Sequence, residues 1–186
     1  MDVKEILSKT RDAMSKSVEF FKSQLAKVRT GRASSTLVDN VKADYYGAAT
    51  PIPQMATISV PDARTIVIQP WDRSTLTAIE KAIQSADLGF NPQNDGTIIR
   101  IPVPPLTEER RKEFVKVCKK YAEEGKIALR NIRREQNDVL KKAEKDKQMS
   151  EDDSKWGEEE IQKIITEYTK KIDESLDKKE KELMEG

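Results

Sequence analysis

The sequence predicts an α+β protein of two domains, in which a bundle of three long amphipathic helices is interrupted by a small domain of strands and one short helix. Charged residues make up 36% of the chain, so apolar residues can be buried as stripes along helices rather than as one large globular core. All 8 prolines lie between positions 51 and 105. On both sides of that segment the apolar residues have helical spacing, which places the helices outside it.

The first helix is predicted over residues 2–29. Its apolar residues recur at steps of three and four positions, and neither proline nor glycine occurs before Gly31. Thr30-Gly31 then ends the helix. The stripe consists of Val3, Leu7, Met14, Val18, Phe21, Leu25 and Val28.

The proline-containing segment predicts a small α+β domain. Its β-rich runs are 41–46, 56–60, 65–69 and 97–103, bounded by turn residues such as Asn94-Asp95-Gly96. Residues 74–86 carry apolar residues on one helical face and are followed by Gly89. We expect one of Tyr45 and Tyr46 in the core and the other on the surface. Trp71, like Trp156 further along the chain, is expected to pack against other residues.

A second long helix is predicted over residues 107–147, with Thr107 as its N-cap and acidic residues in its first turn. Gly125 lies inside it, and close packing explains this glycine better than a hinge. The third helix follows Ser150, also an N-cap. The two stripes are Phe114, Cys118, Tyr121, Ala128, Ile132, Val139 and Ala143 in the second helix, and Ile161, Ile164, Tyr168, Ile172, Leu176 and Leu183 in the third.

Three helices with one apolar stripe each can bury those stripes against one another as a bundle. The bundle would comprise residues 1–29 and 107–186, with residues 30–105 as an inserted domain. The chain then crosses between the domains twice, near residues 29–32 and 103–106. Two short crossings predict a hinge with limited reorientation rather than free tumbling.

The composition excludes most catalytic chemistry. The chain has no histidine and a single cysteine, Cys118, so it lacks Ser-His and Cys-His pairs and multi-cysteine zinc sites. Its seven glycines form no nucleotide-binding loop. The unpaired cysteine indicates a reducing, intracellular setting, and no apolar run is long enough to span a membrane. We therefore expect no enzymatic activity, no metal and no cofactor.

The charge pattern indicates a basic surface. The net charge is +1, yet residues 107–147 carry net +5 and residues 148–186 carry net −6. Within the basic segment Arg130, Arg133 and Arg134 have the i, i+3, i+4 spacing of one helix face, which Lys119 and Lys126 extend. Two interpretations remain open. The guanidinium groups bind phosphates of folded RNA, or the face is simply solvated and partly neutralised by Glu135 and Asp138.

Several motifs together resemble one known family, the bacterial ribosome recycling factor. They occur in the family's order across essentially the whole chain: Lys27-Val28-Arg29-Thr30-Gly31-Arg32-Ala33-Ser34, Asp44-Tyr45-Tyr46-Gly47 with Thr50-Pro51, Asp87-Leu88-Gly89-Phe90-Asn91-Pro92, Pro104-Pro105-Leu106-Thr107-Glu108-Glu109-Arg110-Arg111-Lys112, and Arg130-Asn131-Ile132-Arg133-Arg134.

The resemblance implies an L-shaped protein, in which an elongated antiparallel three-helix bundle carries a small β/α/β domain on a hinge. It also implies a non-enzymatic role after the termination of translation. The bundle would bind ribosomal RNA of the large ribosomal subunit. Elongation factor G, hydrolysing GTP, would then swing the small domain and separate the two ribosomal subunits.

The resemblance also implies which residues act. Arg110, Arg130 and Arg133 are the first candidates for RNA contact, and Arg29 and Arg32 are the next. Lys126 and Arg134 complete the basic face, while Thr30, Gly31, Pro104 and Pro105 form the hinge. We expect a cytoplasmic monomer that does not bind membranes. The alternative function is a helical scaffold or chaperone-like module, which would bind proteins, resist ribonuclease and need no GTPase.

Overall fold

The computed structural model describes residues 2–185. In chain order its elements are α1 (Val3–Ala26), β1 (Lys42–Tyr45), β2 (Ala48–Pro51), β3 (Ala56–Asp62), β4 (Thr65–Pro70), α2 (Leu76–Ser85), β5 (Gln93–Asn94), β6 (Ile99–Pro102), α3 (Glu108–Lys145) and α4 (Glu151–Glu185). The contacts divide the chain into two compact units. One contains the N-terminal residues up to Arg29 together with Glu108–Glu185, and the other is Thr30–Thr107.

The first unit is a bundle of α1, α3 and α4, each packed against the other two. A short turn joins α3 to α4, so these two helices run antiparallel. The predicted N-cap of the third helix is confirmed, since Asp153 N donates to Ser150 Oγ at 3.1 Å. Asp2, which was not predicted as a cap, accepts a hydrogen bond from Lys4 N at 3.0 Å at the start of α1. α1 ends at Ala26, three residues before its predicted end.

The buried line of α3 differs from the predicted stripe. Its fully buried positions are Cys118, Ala122, Gly125, Leu129, Leu140 and Ala143. Phe114, Tyr121, Ala128, Ile132 and Val139 are half-buried on the flanks. Four of the six residues in the buried line are small, and Leu129 and Leu140 are the larger ones.

Gly125 shows how closely the helices approach one another. A Cβ built on Gly125 would lie 3.2 Å from Ile172 Cδ1 of α4 and 3.7 Å from Phe21 Cβ of α1. α3 continues through this position without a break. The prediction of close packing rather than a hinge is therefore confirmed.

The second unit contains two antiparallel sheets and one helix. β3, β4, β6 and β5 form a four-stranded sheet in that order, and β1 pairs with β2 as a separate hairpin. The four predicted β-rich runs correspond to β1, β3, β4 and β6, although β3 extends two residues and β4 one residue beyond its predicted end, and β2 and the two-residue β5 were not predicted. The core lies between α2 and the strands, where Ile66, Ile68, Ile79, Ile83 and Ile99 are almost completely buried.

The prediction that one of Tyr45 and Tyr46 lies in the core was wrong, and Trp71 is packed less than expected. Tyr45 and Tyr46 are both exposed, because Tyr46 lies in the β1–β2 turn with a φ of 51° and its hydroxyl donates to Asp72. Trp71 is 66% exposed, and its indole Nε1 donates to Thr57 Oγ1 at 2.9 Å on the outside of the sheet. Trp156 is 45% exposed, because the neighbouring positions Ser154 and Gly157 are the ones that α4 turns inward.

Candidate nucleic-acid interface

A basic groove runs along the bundle between α3 and α4. It has a volume of about 460 Å³. One wall consists of Lys126, Arg130 and Arg133 from α3, and the other consists of Gln162, Ile165, Thr166, Thr169, Lys170 and Asp173 from α4. The groove is open to solvent and carries four cationic side chains against one carboxylate among its lining residues. It is therefore suited to an extended anion.

The local sequence explains why these cations converge. Lys126, Arg130 and Arg133 follow the spacing of four and three residues that keeps side chains on one side of a helix. The buried Leu129 lies between them in sequence and is fixed against the rest of the bundle. Since Leu129 faces the core, the three basic residues emerge beside the core on the side of α4.

Each α3 cation in the groove has a different partner. Lys126 Nζ lies 2.6 Å from Asp173 Oδ1 of α4, and Arg130 Nη1 lies 3.2 Å from Glu123 Oε1 within α3. Arg133 Nη1 instead donates to the amide oxygen of Gln162, at 3.1 Å. Two of the cations therefore face a carboxylate, and the third faces a neutral group.

Arg134 lies outside the groove, although it belongs to the same predicted cluster. It is exposed and is absent from the groove lining. Within residues 2–185 neither Glu135 nor Asp138 forms an ion pair with it. The structure thus brings together Lys126, Arg130 and Arg133 and leaves Arg134 on the adjoining outer surface.

The other predicted arginines are dispersed. Arg110 is exposed near the start of α3, where its Nη1 lies 3.2 Å from Glu113 Oε2. Twenty residues of helix, about 30 Å, separate Arg110 from Arg130. Arg29 and Arg32 are both exposed, and they belong to different units.

The predicted hinge residues lie beside hydrogen bonds that Arg64 makes inside the second unit. Gly31 has a φ of +77°, in the left-handed region. The Arg64 guanidinium donates to the carbonyl oxygen of Gly31, and the Arg64 carbonyl accepts from Val103 N at 2.7 Å. Arg64 is thus bonded to both chain crossings. Pro104 and Pro105 follow directly and are exposed.

The sequence analysis missed the α4 wall of the groove. Gln162, Thr166 and Lys170 recur every fourth residue, beside the buried positions Ile161, Ile165 and Tyr168. This spacing is a recognisable signal for one helix face. Polar uncharged residues do not stand out in a strongly charged helix, and their closeness to α3 depends on how the bundle packs.

The groups that could support other chemistry are few. Among residues 2–185 no cluster of His, Cys, Asp and Glu has the arrangement of a metal site. Cys118 is fully buried, and burial raises the pKa of its thiol. No helix in this part of the chain combines the length and the apolar character needed to cross a bilayer.

Comparisons with known proteins agree over nearly the whole chain. The family model described as Ribosome recycling factor matches residues 21–184. The ribosome-recycling factor of Oleidesulfovibrio alaskensis is 56% identical over 180 residues, which is 97% of this chain and 98% of the relative. That of Clostridium tetani is 54% identical over 182 residues, covering 98% of both.

Solved structures give the same result. A solution structure of the ribosome recycling factor aligns with a TM-score of 0.82 at 41% identity, covering 100% of this chain and 99% of the other. A second structure comes from models of the T. thermophilus ribosome recycling factor and E. coli elongation factor G bound to the E. coli post-termination complex. It aligns with a TM-score of 0.66 at 51% identity, over 98% of this chain and 99% of that one.

Because these matches cover nearly the whole chain, they show that it is a translation factor. More particularly, the chain belongs to the ribosome recycling factor family, whose members are not enzymes.

Proposed function

We propose that this protein recycles ribosomes after termination, separating the post-termination complex into subunits together with elongation factor G and GTP. Family membership over residues 21–184 carries the proposal. The structural neighbour that accompanies elongation factor G on a post-termination complex supports the choice of partner. Because a translation factor works where ribosomes are, the cytoplasm is its compartment.

The α3–α4 groove binds the ribosomal RNA of the large subunit. Lys126, Arg130 and Arg133 supply positive charge along one line, and arginine engages phosphate oxygens in a fixed, bidentate geometry. No aromatic side chain lies among the groove residues, which favours the backbone of folded RNA over stacked single-stranded bases. Arg134 adds charge at the margin of the groove, and Arg110, Arg29 and Arg32 make further contacts elsewhere.

The two crossings of the chain form the hinge of this cycle. In this proposal residues 1–29 and 107–186 hold the large subunit, while residues 30–105 are moved by the GTPase. Thr30 and Gly31 form one crossing, and Pro104 and Pro105 form the other. The positive φ of Gly31 and the fixed φ of the two prolines define the backbone at these points.

Light scattering of post-termination ribosomes tests the proposal. We expect the scattering to fall when the protein, elongation factor G and GTP are all present, and to stay constant when any one is omitted. No fall with the cognate GTPase, combined with no binding to large subunits, would overturn ribosome recycling. Ribonuclease-resistant binding to other proteins would then support a scaffold function.

A further inference from the structure

Arg133 is the one α3 cation of the groove whose partner is neutral. An RNA phosphate approaching Lys126 or Arg130 must compete with Asp173 or Glu123 for the cation. At Arg133 it meets a guanidinium that donates only to an amide oxygen of Gln162. The full positive charge of Arg133 therefore remains available to an anion.

We propose that Arg133 and Gln162 together form a phosphate subsite that spans α3 and α4. Gln162 holds the guanidinium in place without neutralising it, and the subsite takes a phosphodiester of the RNA backbone. This inference rests on the proposed function, since it assigns a residue of α4 to the RNA-binding groove.

The hydrogen-bonding capacity of the two side chains fits this role. A guanidinium has five N–H donors, and the bond to Gln162 Oε1 engages one of its nitrogens. The amide nitrogen of Gln162 is a further donor beside it. An arginine side chain is flexible, so a partner on a second, rigid helix lowers the entropy lost when phosphate binds.

A glutamate at position 162 would have nearly the same shape and would act differently. Its carboxylate would accept the same N–H but would neutralise Arg133, as Asp173 does for Lys126. It would also repel the phosphate. The function of Gln162 therefore depends on its lack of charge. A purely structural contact would not depend on it.

The test compares Gln162→Glu, Gln162→Met and Arg133→Ala in the full-length protein, by titrating large ribosomal subunits at several KCl concentrations. Gln162 is exposed, so the variants are expected to fold, and thermal unfolding checks this. Gln148→Glu adds the same charge at an exposed position. Gln148 lies in the turn between α3 and α4, and the stretch of α4 from Glu151 to Gln162 alone spans about 16 Å, which is beyond the screening length in moderate salt.

We expect Gln162→Glu to weaken binding about tenfold and to lower the salt slope by about one unit, as Arg133→Ala does. Gln162→Met should weaken binding about threefold with the wild-type salt slope, because the charge remains and only a hydrogen bond is lost. Gln148→Glu should bind as the wild-type protein does.

The possible failures can be distinguished. If Arg133→Ala weakens binding while Gln162→Glu binds normally, the subsite is overturned and the RNA-binding groove stands. If both Gln162 variants weaken binding equally with equal salt slopes, Gln162 is only a structural contact. If neither Arg133→Ala nor Gln162→Glu changes binding, the groove itself is not the RNA site.

Discussion

Gly31 and Leu106 lie against each other, although 75 positions of sequence separate them. A Cβ built on Gly31 would come within 3.1 Å of both Leu106 Cγ and Leu106 N. Gly31 also has a φ of +77°, which disfavours any residue with a side chain. The two crossings of the chain are therefore packed together, and Arg64 bonds to both of them.

We predict that Gly31→Ala slows subunit splitting while leaving affinity for the large subunit unchanged. Alanine at this φ costs about 1–2 kcal/mol, and its methyl group would push Leu106 away. The α3–α4 groove belongs to the other unit and should keep its structure. Splitting rates from light scattering and affinities from subunit titration measure the two effects separately.

Gly96→Ala is the matched control for this prediction. Gly96 has a φ of +90°, and nothing lies within 4 Å of a Cβ built on it. It therefore carries the same backbone strain in the same unit without any contact to a crossing. Equal slowing by Gly96→Ala would show that loss of stability, rather than the crossing, limits the reaction.

Arg133 and Arg134 should contribute unequally to the binding of large ribosomal subunits. We predict that Arg133→Ala weakens binding to large subunits about tenfold, whereas Arg134→Ala weakens it less than threefold. Arg133 lines the groove and Arg134 points outside it, so Arg134 contributes only screened, longer-range attraction. A greater loss for Arg134→Ala would place the RNA on the outer surface of α3 instead.

The sequence predicted helices well where stripes are regular, and less well where small residues form the contact. The bounds of α3 and α4 follow from caps and periodicity. The centre line of α3 does not, because Ala122 and Gly125 carry little hydrophobic signal although they lie where the helices meet. β5 has two residues, which is too short for any alternation to show, and only pairing with β6 defines it.

The basic wall of the site was predictable, and its partners were not. The spacing of Lys126, Arg130 and Arg133 is visible in one helix. The closeness of Gln162 to Arg133 depends on α4 folding back along α3, and no local pattern encodes it. Whether a cation is neutralised by a carboxylate or held by an amide is therefore decided by tertiary packing.

Removal of the carboxylate in the groove should strengthen RNA binding. We predict that Asp173→Asn tightens binding to large subunits severalfold and steepens its salt dependence. Lys126 then loses the carboxylate that lies 2.6 Å from its ammonium and becomes available to phosphate. Asp12→Asn, at an exposed position of α1, makes the same change in net charge and should have little effect. Equal tightening by both variants would indicate a response to net charge alone.

Cys118 should report the opening of the bundle. Its side chain is fully buried, and burial raises the pKa of its thiol above the ordinary value of 9.0. The neutral thiol is thus favoured in the folded state. This contribution to stability is present below pH 9 and declines as the pH rises through the folded-state pKa.

We predict that iodoacetamide at pH 8 alkylates Cys118 only through the opened state of the bundle, because alkylation requires an exposed thiolate. Adding urea below the unfolding midpoint should raise the rate in proportion to the unfolded fraction. Mass spectrometry of the intact protein measures the modification, and the fully unfolded chain gives the reference rate. Native-state alkylation near that reference rate would mean that Cys118 is reached without opening, and that α1, α3 and α4 pack less tightly around it than the structure shows.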